Sequence, residues 1–368
     1  REGEAIAQGL MEVLKLKNPD RIVFHEITKD AIKKAISNPA KIDNNMVMAQ
    51  QARRLLDRLV GYKISPLLWK IMKGQLSAGR VQSVVVKIVI DKENEINTFL
   101  DSDVGSYYKT TSEFELNDMK IKCNLVDEKG NVYKIKLKDI ESFLSNFNKK
   151  TTYEITDIIK SDVNNSPSKP FITSTLQQDA STKLGFTSKR TMMAAQKLYE
   201  AGHITYMRTD SYNLSKDILK QCQNHIHSFY GENYYKYRTF NAKSKNAQEA
   251  HEAIRPTKIS TVSIDMDNDC NKLYDLIWKR TLASQMADAI IERNNIYIDC
   301  INSESILPGE SLFLSTLETV KFNGFLILYG KENEDSMDLD KSMSLKFKKI
   351  NITEEYNKPP LRYNEAGL

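Results

Sequence analysis

A tyrosine two residues ahead of an arginine is the pair in this sequence with the plainest chemical use: Tyr206 and Arg208, in the stretch Ala201–Ser211 (AGHITYMRTDS). Gly202 should stop the preceding helix, and a short strand over 204–208 would put Ile204, Tyr206 and Arg208 on one face, because side chains alternate along a strand. A phenol is a poor nucleophile while its pKa stands near 10. A fixed guanidinium beside it favours phenolate, and can also hold a phosphate and neutralise charge on its oxygens as the phenol oxygen attacks. Core tyrosines with a surface arginine produce the same spacing more often, so the pair gains weight only from its company.

That company includes a local basic zone. Between Gln51 and Lys87 stand eight basic residues (Arg53, Arg54, Arg58, Lys63, Lys70, Lys73, Arg80, Lys87) and one acid, Asp57, a net +7 in a chain whose total is +5. Cations for phosphates together with the rings of Tyr62 and Trp69 for bases are what a single nucleic-acid strand requires. On charge alone, a solvated helix face explains the zone equally well.

The elements that must position these groups follow from periodicity. Residues 1–40 read as a helix carrying Ile6, Leu10, Val13 and Leu14, a short strand at Arg21–His25 and a second helix, the tail of an α/β unit. Met48, Ala52, Leu55, Leu56 and Leu59 form an apolar helical stripe, with Arg54, Arg58 and Tyr62 at i, i+4 and i+8 beside it. Gly61 is a candidate end for that helix. The segment 81–95 is rich in β-branched residues, yet its length and charge spacing favour a helix. Its start, Ser77–Ser83 (SAGRVQS), would then offer free backbone amides to phosphate. From Tyr107 to Ile159 the pattern alternates as antiparallel strands with a turn at Glu128–Asn131, and strand-like runs return at 295–301, 311–317 and 345–352. Between them, Ser174–Leu184 and Ser188–Glu200 read as two helices in helix-turn-helix spacing, with Ser188 as N-cap. The acidic run Glu332–Asp340 reads as a solvated loop.

Composition sets the limits. At 368 residues the chain is long enough for two to four domains, and 40% hydrophobic with 27% charged residues describes a globular chain without a membrane-length apolar run. Cys123, Cys222, Cys270 and Cys300 lie far apart, which indicates neither a zinc site nor a disulfide framework.

Four motifs then match one family in order: Gln50–Trp69 (QQARRLLDRLVGYKISPLLW), Leu76–Ser83 (LSAGRVQS), Ile204–Ser211 (ITYMRTDS) and Ala250–Thr257 (AHEAIRPT). Together they resemble type IA DNA topoisomerases, specifically the bacterial topoisomerase I branch; Met207 speaks against the topoisomerase III branch, which usually has proline there. The resemblance runs from Arg1–Glu4 (REGE) to Pro359–Leu368 (PPLRYNEAGL). It implies a mixed α and β, multidomain fold, a toroidal core with a discontinuous β-domain. The implied parts are the end of a Toprim domain at 1–43, part of a helical DNA-groove domain at 44–100, a β-rich hinge at 101–165 and 294–352, an inserted helical domain at 166–293 and a return into the groove domain at 353–368.

The resemblance makes Tyr206 the nucleophile of a 5′-phosphotyrosyl intermediate, Arg208 the group that neutralises the scissile phosphate, and His251 a neighbour of that phosphate. It makes Arg53, Arg54, Asp57, Tyr62 and Trp69 the lining of a single-strand groove, Arg54, Arg58 and Tyr62 a base pocket, and Ser77, Ala78, Gly79, Arg80, Val81 and Gln82 a backbone contact. For Asp57, an ion pair that fixes neighbouring arginines is an equal expectation. The implied activity is ATP-independent relaxation of negatively supercoiled DNA by a monomer, in a bacterial nucleoid or the organellar matrix of a eukaryotic parasite. Mg²⁺ is the implied cofactor. Here the chain departs from the pattern: Glu2 matches only the last acid of the Asp-x-Asp-x-Glu motif, and Gly367 stands where the family usually has serine or threonine. The expectation is a core fragment that binds single strands without full activity; the rivals are a non-cutting single-strand binder and a topoisomerase III-type decatenase.

Overall fold

The computed structural model describes residues 2–74, 76–102, 105–136, 139–141, 143, 152–240, 252–301 and 312–368. Four helices come first: α1 (Glu2–Val13), α2 (Lys29–Ser37), α3 (Asn44–Ile71) and α4 (Arg80–Asp101). The strand expected at 21–25 reduces to one bridge, in which Arg21 and Ala40 exchange both backbone hydrogen bonds at 2.8 Å, and the Arg21 side chain pairs with Glu4 at 3.1 Å. Helix α3 does not end at Gly61; it runs through that glycine and through Pro66 to Ile71. The β-branched run of α4 is helical too, so its length prevails over strand propensity. Along α1 and α3 the apolar stripes legible in the sequence face solvent, Leu55 being 60% exposed, as do Val81, Val84 and Val86 of α4.

The next elements form a seven-stranded antiparallel sheet. Its strands are β1 (Ser106–Leu116), β2 (Met119–Val126), β3 (Lys134–Ile135), β4 (Tyr153–Asn165), β5 (Ala289–Cys300), β6 (Leu312–Phe322) and β7 (Leu345–Tyr356). Asn117 and Asp118, both at positive φ, make the tight β1–β2 turn, a pair suited to the left-handed region that such hairpins demand. The path runs β1-β2-β6-β5-β4, with β3 beside β1 and with β7 on the other flank of β1. The sheet curls until its two ends meet: Tyr153 of β4 stacks on Phe347 of β7 at 4.9 Å, with Phe114 edge-on to both at 5.1 and 5.7 Å. Inside the curl lies one apolar core, built on Phe114, Leu116, Ile121, Leu125, Ile296, Ile298 and Phe313.

A second core belongs to a helical block placed between β4 and β5. Asn165 pairs with Ala289, so the chain leaves the sheet and re-enters it at adjoining positions. The block holds α5 (Thr173–Leu184), α6 (Ser188–Glu200), α7 (Lys216–Phe229) and α8 (Asn268–Ala283). Gly185 at φ +67 closes α5, with the Phe186 amide reaching back to Ala180 at 3.1 Å, and Thr187, not Ser188, caps α6. Tyr274 and Trp278 of α8 anchor the interior, their polar tips donating to the carbonyls of Thr261 (2.6 Å) and Ile259 (3.0 Å).

Where the sheet meets this block, Gly324 sits at φ +46, and a Cβ there would lie 2.5 Å from the Asp288 carbonyl oxygen and 2.6 Å from that of Ala287. Gly324→Ala is therefore expected to cost at least about 2 kcal/mol, through backbone strain and a clash with fixed carbonyls. A thermal melt should fall by roughly 4–8 °C; an unchanged midpoint would refute the close approach.

Candidate functional site

The stretch after α6 is pinned from several sides. Ile204 bridges Pro256, the Thr205 amide donates to the Arg255 carbonyl (2.9 Å), and the Thr205 hydroxyl donates to Ala253 O (2.7 Å) while accepting the Arg255 amide (3.0 Å). Thr205 is thus buried beside Ile204 because its hydroxyl finds both partners inside, and this breaks the expected alternation. No strand forms over 204–208, and Ile204 does not share the face of Tyr206 and Arg208. Alternation begins at Tyr206: Met207 and Thr209 turn inward, while Tyr206 is half-buried and Arg208 and Asp210 are exposed. Sequence periodicity therefore places Tyr206 and Arg208 together, though with Asp210 as third member.

The Tyr206 amide donates to His25 O at 2.8 Å, and its ring meets Tyr199 of α6 edge-on at 5.3 Å. Thr173, the first residue of α5, ties down the following residues. Its hydroxyl donates to Met207 O (2.8 Å) and accepts the Thr209 amide (3.0 Å), and its own amide donates to Thr209 O (3.0 Å). This threonine carries no signal in the sequence beyond its place at a helix start.

Arg208 opens onto a cleft of about 550 Å³ lined by the start of α5 (Ile172–Ser174), Gln177, Gln178, Asp210 and Glu365–Leu368. Ile172 offers no side-chain cap to the first turn of α5. An exposed guanidinium beside a helix start without a side-chain cap suits an oxyanion, and the carboxylates of Asp210 and Glu365 in the same lining oppose one. The cleft is reached from α4 through the C-terminal residues: Arg362 forks onto Glu93 of α4 (Nη2 to Oε2, 2.9 Å), and Gln178 Nε2 donates to Ala366 O (3.4 Å). His251 lies outside the described residues.

The basic zone is organised by one helical stripe. Asp57, Gly61, Ser65 and Trp69 recur every four residues along α3; the last three meet the loop before α4, and Asp57 meets the first residue of α4. Asp57 pairs with Arg80 (2.9 Å), Gly61 leaves room for the Ala78 carbonyl, Ser65 Oγ accepts the Ala78 amide (3.0 Å), and the Trp69 indole N–H donates to Leu76 O (2.6 Å). Asp57 thus takes the ion-pair part, and the polar edge of Trp69 holds the loop. Continued docking along this stripe explains why the helix survives Gly61 and Pro66: the loop packs against the turns that those residues weaken.

The neighbouring flank stays free. Arg54, Arg58 and Tyr62 face solvent, Tyr62 being 77% exposed, and Arg53, Arg54 and Arg58 meet no carboxylate among the described residues. The loop itself carries Ser77, whose hydroxyl donates to Gln82 Oε1 (3.3 Å), and Gly79, which opens α4 without a side-chain cap. Arg80, Val81 and Gln82 follow in the exposed first turn.

Gly61 gives a local test. Its missing Cβ would stand 3.5 Å from Ala78 O, so alanine fits there, whereas the added methyls of valine are expected to press on that oxygen. Gly61→Val should release the loop, at a cost of up to about 3 kcal/mol for three hydrogen bonds. Iodide quenching reads it, because Trp69 is 54% exposed while Trp278 is 4% exposed. Quenching should rise in the valine variant and stay unchanged in Gly61→Ala; equal behaviour of the two would overturn the docking role.

For a metal, the fit fails on the described residues. Glu2 is exposed at the start of α1, and Glu4 is committed to Arg21 (3.1 Å) and the Asp43 amide (3.2 Å). Among the described residues no three His, Cys, Asp or Glu side chains converge as a metal site. A Mg²⁺ ion asks for near-octahedral oxygen ligation, which Glu2 alone does not compose.

A sequence model of the family described as DNA topoisomerase matches residues 41–368. The chain is 43% identical over 400 aligned positions to the "DNA topoisomerase 1 type prokaryotic" of Acanthamoeba polyphaga mimivirus, covering 100% of this chain and 47% of that protein. It therefore spans about half the length of this curated relative. Full-length topoisomerase I from Thermotoga maritima superposes with a TM-score of 0.79 at 34% identity, over 99% of this chain and 60% of that one.

Proposed function

We propose a function from one premise: the chain belongs to the type IA DNA topoisomerase family. In this reading it cuts one strand of DNA and rejoins it, relaxing negatively supercoiled DNA. The Tyr206 oxygen attacks the scissile phosphorus, a 5′-phosphotyrosyl bond forms, and the 3′ oxygen leaves and takes up a proton; the reverse attack by that hydroxyl restores the strand. The outward alternation of Tyr206 and Arg208 on a pinned backbone, with Arg208 at the mouth of an anion-suited cleft, is the observation that carries it.

Arg208 holds and neutralises the phosphate, and His251 stands near it. Arg53, Arg54, Arg58 and Tyr62 take the strand, with Ser77–Gln82 on its backbone and with Asp57 and Trp69 holding that loop in place. Mg²⁺ belongs to this family's activity, and the described residues do not compose its site. DNA is the partner, engaged through single-stranded regions by a monomer, in a nucleoid or organellar matrix. Among the described residues no helix is long and apolar enough to cross a membrane.

The test is adduct capture on a single-stranded oligonucleotide with Mg²⁺ present. After denaturation, label placed at the 3′ end should stay on the protein and label at the 5′ end should not. Retention of the 5′-end label, or of neither, would reject this chemistry.

A further inference from the structure

The N-terminal part and the helical block touch beside Tyr206 through three consecutive residues. His25 O accepts the Tyr206 amide (2.8 Å), Glu26 Oε2 accepts from Arg255 Nη1 (2.8 Å), and the Ile27 carbonyl lies 2.7 Å from where a Cβ on Gly202 would stand. Gly202, at φ +76, is the residue that lets the two backbones come this close. Glu26 is braced by the Thr28 hydroxyl, which donates to Oε1 at 3.0 Å.

The ion pair at the centre is asymmetric. Arg255 is 5% exposed and also binds Glu252 of its own block, Nε to Oε2 at 2.8 Å, while Nη1 donates to Pro256 O at 3.0 Å. A buried cation stripped of its only carboxylate is strongly destabilising. Here Glu252 stays with Arg255 when Glu26 leaves, and Glu26, only partly buried, returns to water. The contact is strong when made, yet it breaks without leaving an unpaired buried charge.

We propose that the Glu26–Arg255 pair is a latch between the two walls of the cleavage centre. Closed, it keeps His25 O on the Tyr206 amide and so positions the segment that carries the phenol. Open, it lets the wall holding a cut strand on Tyr206 move away from the wall built by the N-terminal helices. The inference rests on the reading of Tyr206 as nucleophile, because passing one strand through a break in another requires the broken ends to separate. Glu26 and Arg255 are then positioning residues: they act through the backbone of Tyr206.

Residue-resolved hydrogen exchange on the complete protein tests the latch directly. The Tyr206 amide bonds across the contact, whereas the Thr205 amide bonds to Arg255 O within the block. In Glu26→Gln, exchange at Tyr206 should rise about tenfold or more, with Thr205 unchanged and with Glu26→Asp in between. Equal acceleration at both amides would make the cluster a mere brace of the block, and no acceleration at Tyr206 would remove the latch; either result overturns the proposal. Adduct capture separates it from the functional reading. Glu26→Gln should slow rejoining several-fold more than it slows cleavage, because rejoining must bring back a wall that has moved away whereas cleavage starts with the walls together. If the unaltered protein yields no adduct, the assignment of Tyr206 falls while the exchange result still decides whether the latch exists.

Discussion

Tyr206→Phe is expected to lower covalent adduct formation by at least about a thousandfold, because no other group replaces a lost nucleophile. Binding of a single-stranded oligonucleotide should stay within about twofold, since the phenylalanine ring keeps the edge-on contact with Tyr199 at 5.3 Å and the backbone bond to His25 involves no side chain of residue 206. The two readouts must separate. Adduct persisting in the phenylalanine variant would mean that another residue carries the strand. Loss of binding along with adduct would mean that the hydroxyl holds DNA and the attack comes from elsewhere.

The second large effect belongs to α3. Removing both guanidiniums from its free flank, as Arg54→Ala with Arg58→Ala, should weaken single-strand binding by about 10- to 100-fold at low salt. The more telling readout is the salt dependence. Each phosphate contact on a single strand contributes about −0.7 to the slope of log K against log salt, so the double variant should be flatter by about 1.4. Arg293→Ala supplies the control, because Arg293 already pairs with Glu318 at 2.8 Å on the β-sheet. A slope that stays unchanged in the double variant, or flattens equally in the control, would mean that this flank is merely a solvated face.

These expectations draw on parts of the molecule that were unequally legible beforehand. The α5–α6 pair could be read because its signals are local, two runs of helical spacing broken near Gly185, although the cap of α6 is Thr187 and not the expected Ser188. The strands β1 and β2 were legible from alternation, whereas the Asn117–Asp118 turn between them was not singled out. Tyr206 and Arg208 were found by spacing, but the proposed strand was not, since the burial of Thr205 depends on partners 48 and 50 residues away. Trp69 shows the same limit. An exposed indole in a basic helix suggests base stacking, and nothing periodic announces that its N–H is donated to Leu76 O seven residues on. Glu26 and Arg255 lie 229 residues apart, and neither residue alone signals the other.

The order in which the chain leaves the ribosome gives the curled sheet a further consequence. Strand β1 is completed early, yet its outer neighbour β7 comes from the far end of the chain; the Tyr107 hydroxyl bonds to Glu355, 248 residues later, at 3.0 Å. At ordinary synthesis rates β1 would wait roughly 12 to 50 s for that partner, with one edge unpaired. The helical block is closed mainly by nearer contacts, from 171 to 289, with Phe325 and Leu328 joining its core later, and most of it emerges within that interval. Maturation during translation should therefore proceed from the inserted block outward. The exposed β1 edge is the stretch that a nascent-chain chaperone would have to shield, because an unpaired strand edge is a template for wrong pairing.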